Sequence, residues 1–125
     1  MSDKKKVLIV EDDLILSLLY ENYMDKLGFE TEGELVYGKT AIEVAKEVEP
    51  DLILMDISLE GEMDGIEAMN EIRKFSSVPV IYITGNSDKA HQERAKQTNY
   101  EDYLIKPIEF NELKASLIKA GVLSE

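Results

Sequence analysis

The chain has 125 residues, a length that suits one domain and is short for two ordinary ones. Its 14 Lys and Arg against 26 Asp and Glu leave a formal charge of −12, which disfavours nucleic acid and anionic membranes as direct partners. Cysteine is absent, so disulfides and thiol catalysis are excluded, and a reducing, cytoplasmic setting is expected.

The basic stretch Met1-Ser2-Asp3-Lys4-Lys5-Lys6 leads into Val7-Leu8-Ile9-Val10, an apolar run that stops at Glu11. That is too short for a secretory segment, and no later run approaches the roughly 20 apolar residues needed to cross a bilayer, so no membrane insertion is expected. Val7 to Val10 reads as a buried strand ending in Glu11-Asp12-Asp13, with Asp13 as N-cap of a helix. Ile15, Leu18, Leu19, Tyr23 and Leu27 recur there at helical spacing, and Gly28 supplies the stop. Phe29 to Val36 alternates imperfectly and carries three glutamates, as befits an edge strand. Thr40 to Val48 sets Ala41, Ile42, Ala45 and Val48 on one helical face, and Pro50 ends it.

Asp51 to Met55 forms the third strand, a doubly buried run that delivers Asp56 at its tip. A loop holding Gly61 follows, then a helix capped by Asp64 and bearing Ile66, Met69 and Ile72. Val78 to Ile83 is the fourth strand, ending in Thr84-Gly85-Asn86-Ser87. The helix expected over Ser87 to Gln97 has Ala90 and Ala95 as its only hydrophobes, so it is either loosely held or faces a partner. Asp102-Tyr103-Leu104-Ile105 is a short fifth strand closed by Lys106-Pro107, and a last helix carries Phe110, Leu113, Leu117 and Ile118.

Five alternations of strand and helix with short connections predict an α/β fold, a parallel sheet covered by helices on both faces. In such a sheet the functional edge is the one at the strand C-termini. There the chain delivers Glu11 and Asp12, Asp56, Thr84 and Lys106. Hard oxygen donors without His or Cys favour Mg²⁺, or Mn²⁺, over zinc. Asp56 is then a further ligand or a nucleophile, while Thr84 and Lys106 offer a donor and a positive charge to phosphoryl oxygens. The implied chemistry is phosphoryl transfer to a carboxylate. Two like charges about 4 Å apart repel by roughly 4 kcal/mol at an effective dielectric near 20, so the acidic cluster should strain a metal-free fold.

Five fragments in order, Val7-Leu8-Ile9-Val10-Glu11-Asp12-Asp13, Leu54-Met55-Asp56, Met63-Asp64-Gly65, Ile83-Thr84-Gly85 and Tyr103-Leu104-Ile105-Lys106-Pro107, make the chain resemble the receiver domain of two-component response regulators. The resemblance covers essentially the full length and implies a single receiver domain over 1–125, with its core over about 5–121. It implies a doubly wound (βα)5, flavodoxin-like domain with the parallel sheet in the order 2-1-3-4-5. It also implies that Asp56 is the phosphoacceptor, supplied by a histidine kinase or a histidine phosphotransfer protein. Glu11 and Asp12 match the metal-binding acidic pair, with Asp12 the direct ligand and Glu11 acting through water, and the backbone carbonyl of Ser58 completes the coordination. Thr84 matches the hydroxyl residue that bonds the phosphoryl group, Lys106 its lysine partner, and Tyr103 the aromatic switch that follows Thr84. The Lys106–Pro107 bond is expected to be cis. Signalling to a downstream protein would run through the face of the fourth helix, fifth strand and fifth helix (α4-β5-α5), and the protein would catalyse its own phosphorylation and dephosphorylation rather than turn over a metabolite.

The chain departs from the commonest pattern in three places. The acidic pair is Glu-Asp, the loop after Asp56 contains Glu60-Gly61-Glu62, and Ser58 and Gly85 are small, which predicts ready water access and a short phosphoryl lifetime. Alternative readings are a small hydrolase forming an aspartyl phosphate, a flavin or dinucleotide binder, and a receiver-like scaffold that takes no phosphate. Ser58 stands where such a hydrolase has its second acid, and Glu11-Asp12-Asp13 would repel the phosphates of a dinucleotide. The chain ends soon after its last helix, which suits either a stand-alone receiver or a piece of a longer protein.

Overall fold

The computed structural model describes residues 4–85 and 89–124, apart from the side chain of Glu34. Strand and helix alternate as β1 (Lys6–Val10), α1 (Leu14–Lys26), β2 (Glu30–Leu35), α2 (Gly38–Val48), β3 (Leu52–Asp56), α3 (Gly65–Ile72), β4 (Val80–Thr84), α4 (Lys89–Lys96), β5 (Asp102–Ile105) and α5 (Phe110–Lys119). The strands form one parallel sheet in the order β2-β1-β3-β4-β5, the flavodoxin-like order expected from the sequence. Residues 86–88, where the sequence predicts the end of the β4 turn and the start of the fourth helix, lie outside the described residues.

The apolar strands β1, β3 and β4 occupy the middle of the sheet because both of their faces are covered. On one face, Leu8, Val10, Ile53, Met55 and Tyr82 pack with Ala41 and Ala45 of α2 and with Ile66, Met69 and Ile72 of α3. On the other, Val7, Ile9, Leu54 and Ile81 pack with Tyr20 and Met24 of α1 and with Leu113 and Leu117 of α5. The glutamate-rich β2 takes the edge, where polar side chains reach water.

Local signals set most element ends. The Asp13 carboxylate accepts from the amides of Ile15 (2.9 Å) and Leu16 (3.2 Å), and Gly28 at φ 88° turns the chain out of α1. Asp64 and Glu67 form a reciprocal capping box at α3. Helix α2 starts two residues earlier than the Thr40 expected from its apolar pattern, with Gly38 buried in its first turn.

The structure corrects the reading of α1. Ile15, Leu18 and Leu19, three of the residues that gave this helix its period, are 79%, 57% and 38% exposed, and the neighbouring Leu14 is 56% exposed. The buried positions are Ser17, Tyr20 and Met24. The helix is apolar around most of its circumference, so periodicity marks a hydrophobic stripe without telling which stripe faces the sheet.

Candidate functional site

All five strands run parallel, so their C-terminal ends share one rim. Asp56 is the last residue of β3, buried, with Ile83 of β4 beside it in register. Glu11 follows β1 and is fixed by its amide, which donates to the Leu35 carbonyl at 2.9 Å. Carboxylate oxygens of Glu11, Asp12 and Asp56 all lie within 4.8 Å of one another. Glu11 and Asp56 are buried, whereas Asp12 is half-buried.

Lys106 enters from β5. Its amide donates to the Thr84 carbonyl at 2.8 Å, which ties the end of β5 to the end of β4. Its ammonium lies 3.0 Å from Asp56 Oδ2 and 3.0 Å and 3.1 Å from the two oxygens of Glu11. The Lys106–Pro107 peptide bond is cis. Thr84, the last residue of β4, is fully buried, and Tyr103 is half-buried in β5. The Ser58 amide donates to Asp56 Oδ1 at 3.0 Å and so fixes one oxygen of that carboxylate. Beyond Thr84, a side chain at Gly85 would meet open space.

The electrostatics follow from burial and from crowding the Glu11 and Asp56 carboxylates around one ammonium. Burial, followed by the hydrogen bond and charge of Glu11, raises the pKa of Asp56 to about 8, although Lys106 pulls it the other way. Burial works against the Lys106 ammonium too, but Glu11 and Asp56 outweigh it and its pKa is raised. One cation therefore does not balance the cluster. Carboxylate oxygens without His or Cys form a donor set that suits a hard divalent cation, and they offer the unbalanced charge to attract it.

Two residues that matter to the rim carried no signal as site residues. Gly65 opens α3 directly behind Asp56: a Cβ there would sit 2.1 Å from the Asp56 carbonyl oxygen and 2.9 Å from Met55 Cγ. Its amide donates to the Ile57 carbonyl at 2.8 Å, closing the loop after β3. Gly65 belongs to the Met63-Asp64-Gly65 fragment, but its steric role depends on a contact between elements. Tyr20 is the second. It is buried in α1, its hydroxyl has no hydrogen-bond partner among the described residues, and burial together with Glu11 and Asp56 pushes its pKa up.

Among the described residues, no helix is long and apolar enough to cross a membrane.

Residues 7–118 match the family described as the response regulator receiver domain. Chemotaxis protein CheY of Thermotoga maritima is 32% identical over 118 residues, which cover 94% of this chain and 98% of that protein. The transcriptional regulatory protein PdtaR of Mycobacterium tuberculosis is 32% identical over 109 residues, but the chain spans only 53% of its length. Among solved structures, the signal receiver domain of a modulated diguanylate cyclase from Desulfovibrio desulfuricans superposes with a TM-score of 0.87 at 33% identity, covering 94% of each chain. The receiver domain of a sensor histidine kinase from Pseudomonas aeruginosa, solved with a magnesium ion in its active-site cleft, gives 0.82 at 30% identity and covers 94% of this chain and 98% of its own. The rim geometry, the strand order and these matches agree, and the chain belongs to the response regulator receiver domain family of two-component systems.

Proposed function

We propose that Asp56 accepts a phosphoryl group from a phosphohistidine on a histidine kinase or histidine phosphotransfer protein, in a Mg²⁺-dependent reaction (Mn²⁺ is the alternative). The observation that carries this reading is the Lys106 ammonium 3.0 Å from Asp56 Oδ2 inside a cluster of three carboxylates. A carboxylate held rigidly by a buried strand is a positioned nucleophile, and the lysine beside it is a positioned countercharge. In the transfer, an Asp56 oxygen bonds to phosphorus as the P–N bond to imidazole breaks, leaving an acyl phosphate and a free histidine. Lys106 then pairs with a phosphoryl oxygen, and the Thr84 hydroxyl donates to another. Asp12 and Asp56, with the Ser58 carbonyl and with Glu11 through water, would hold the cation, which neutralises charge that builds on the phosphoryl oxygens.

The exposed Leu14, Ile15, Leu18 and Leu19 support a protein donor rather than a small molecule. They begin immediately beyond Asp13, the N-cap next to the acidic pair, so a partner seated on α1 would cover the rim. An apolar face on the donor's own helices would meet them, which matches a helical phosphohistidine protein. Loss of the phosphoryl group is attack by water, and the open space at Gly85 together with the exposed Ser58 favours a short lifetime. Output passes through Thr84 and Tyr103 to the α4-β5-α5 face and a downstream protein, in a cytoplasmic setting, with no direct contact to nucleic acid.

Intact mass after incubation with a small phosphodonor and Mg²⁺ tests the reading. The wild-type protein is expected to gain one phosphoryl group and Asp56→Asn none. Equal labelling of both proteins, or labelling of neither, would contradict it.

A further inference from the structure

Helix α4 (Lys89–Lys96) raises a physical question, because its two alanines give it almost no apolar surface, and of these Ala90 is exposed and Ala95 buried. Polar ties hold it instead. Arg94 pairs with Asp64, the N-cap of α3, at 2.9 Å. Just past the helix, Thr98 is fully buried and bonded through both its hydroxyl and its carbonyl. Its hydroxyl donates to the Ala95 carbonyl at 2.6 Å, its carbonyl accepts from Arg73 Nε at 2.7 Å, and its Oγ1 lies 2.7 Å from the Tyr82 hydroxyl. A threonine has one hydroxyl proton, and Ala95 has taken it, so Tyr82 must be the donor to Thr98. The chain of bonds runs from Tyr82 O–H to Thr98 O–H to the last turn of α4. Burial holds the Tyr82 pKa up to about 12, so the phenol stays protonated.

Tyr82 also faces β5. It pairs in register with Tyr103, while Thr84 pairs with Ile105. Side chains two apart on a strand share a face, so Tyr82 lies on the same side of the sheet as Thr84. The rings of Tyr82, Tyr100 and Tyr103 form a cluster, with centroids 5.8 Å apart for Tyr82 and Tyr100, 6.4 Å for Tyr82 and Tyr103, and 5.9 Å for Tyr100 and Tyr103. Tyr82 thus touches Tyr103 through its ring and the end of α4 through its hydroxyl.

We propose that Tyr82 is a positioning residue that couples Tyr103 to the C-terminal end of α4, through its ring contact on one side and its hydrogen bond to Thr98 on the other. The inference rests on the phosphoacceptor reading and adds the route by which a change at the rim reaches α4. A shift of Tyr103 repacks the ring cluster, and the Tyr82 hydroxyl transmits that repacking to a helix that has little apolar surface to resist it. Tyr103 alone would move the surface of β5. Tyr82 extends the response to α4.

Amide NMR spectra recorded with and without beryllofluoride and Mg²⁺, a mimic of the phosphoryl group, test this in the full chain. In the wild type, shifts are expected at Glu11, Asp56 and Thr84 and also from Ala95 to Thr98. Tyr82→Phe keeps the ring and Thr98→Val keeps the side-chain shape, and each removes the hydroxyl link. Both are expected to keep the shifts at the rim and lose those at Ala95 to Thr98, whereas Thr98→Ser, which keeps the hydroxyl, restores them. Identical shifts at Ala95 to Thr98 in the wild type and Tyr82→Phe, or none there in a wild type that responds at the rim, would overturn the coupling alone. A wild type with no response at Glu11, Asp56 or Thr84 would overturn the phosphoacceptor reading, and the coupling with it.

Discussion

Helices α1 and α4 cover opposite faces of the sheet, and they solve the problem of attachment in opposite ways. Helix α1 buries Tyr20 and Met24 against the sheet and still exposes Leu14, Ile15, Leu18 and Leu19. Helix α4 buries Ala95 and is held by Arg94, by Thr98 and by the half-buried Arg73 and the buried Tyr82 that bond to Thr98. A helix fixed by apolar burial stays where it is when charges at the rim change. One fixed by directed polar contacts has discrete alternatives, because each bond is either made or broken. The first suits a platform on which a partner sits, and the second suits an element that responds.

The largest effect that separates the two stripes of α1 is in the core. Met24→Ala is expected to destabilise by about 2–5 kcal/mol, whereas Ile15→Ala stays within about 0.5 kcal/mol, both read by denaturant melts. Comparable losses at both positions would return the outer stripe to the core and erase the contrast.

The rim between the helices gives the next effect. Asp56 has a folded pKa of about 8 against 3.8 when unfolded, so its stabilising contribution is whole below about pH 4 and is lost as the pH rises through 8. Each unit in that window is worth at most about 1.4 kcal/mol, a few kcal/mol in all. The Lys106 pKa is raised as well, so its contribution persists until the pH climbs past the ordinary lysine value and does not oppose this trend. Metal-free thermal melts are therefore expected to weaken from pH 4 to 8. Mg²⁺ or Asp56→Asn should raise the melting temperature near pH 8. A flat profile that Mg²⁺ leaves unchanged would mean that the three carboxylates do not strain the fold.

The outer stripe of α1 is tested by transfer. Ile15→Glu with Leu18→Glu should slow phosphorylation by a phosphohistidine protein at least about tenfold, the loss of roughly 1.4 kcal/mol expected when apolar anchors leave an interface. Phosphorylation by a small phosphodonor should be unchanged. Equal slowing with both donors would point to damage at the rim instead of a lost docking face. The smallest effect belongs to α4, where Arg94→Ala should cost no more than about 1 kcal/mol and lose that cost in high salt, because the Arg94–Asp64 pair is partly exposed. A salt-independent loss would mean that packing, not charge, holds this helix.

The three central strands and the rim were legible in the sequence because each of those strands is an apolar run with a polar residue at its end. Once Val7–Val10, Leu52–Met55 and Val80–Ile83 run parallel, Glu11, Asp56 and Thr84 must share an edge. The inward stripe of α1 was not legible, because Leu14, Ile15, Leu18 and Leu19 are more hydrophobic than Ser17, Tyr20 and Met24, and periodicity weighs residues without knowing where the sheet lies. The anchoring of α4 was hidden for another reason. Thr98 stands beyond the helix, Arg73 follows α3, and Tyr82 lies within an apolar strand, so their bonds join positions as far as 25 residues apart. Gly65 was hidden in the same way, since its need for a missing Cβ arises only where α3 meets the Asp56 carbonyl.

On the proposed function, the phosphoryl group is carried by Asp56 itself. Borohydride reduces an acyl phosphate to an alcohol, so treating the phosphorylated protein and mapping its peptides by mass spectrometry identifies the carrier directly. Homoserine is expected at position 56, with unmodified aspartate at 12, 13 and 64. Reduction at another carboxylate, or a phosphoryl group that survives borohydride on a hydroxyl or on His91, would contradict it.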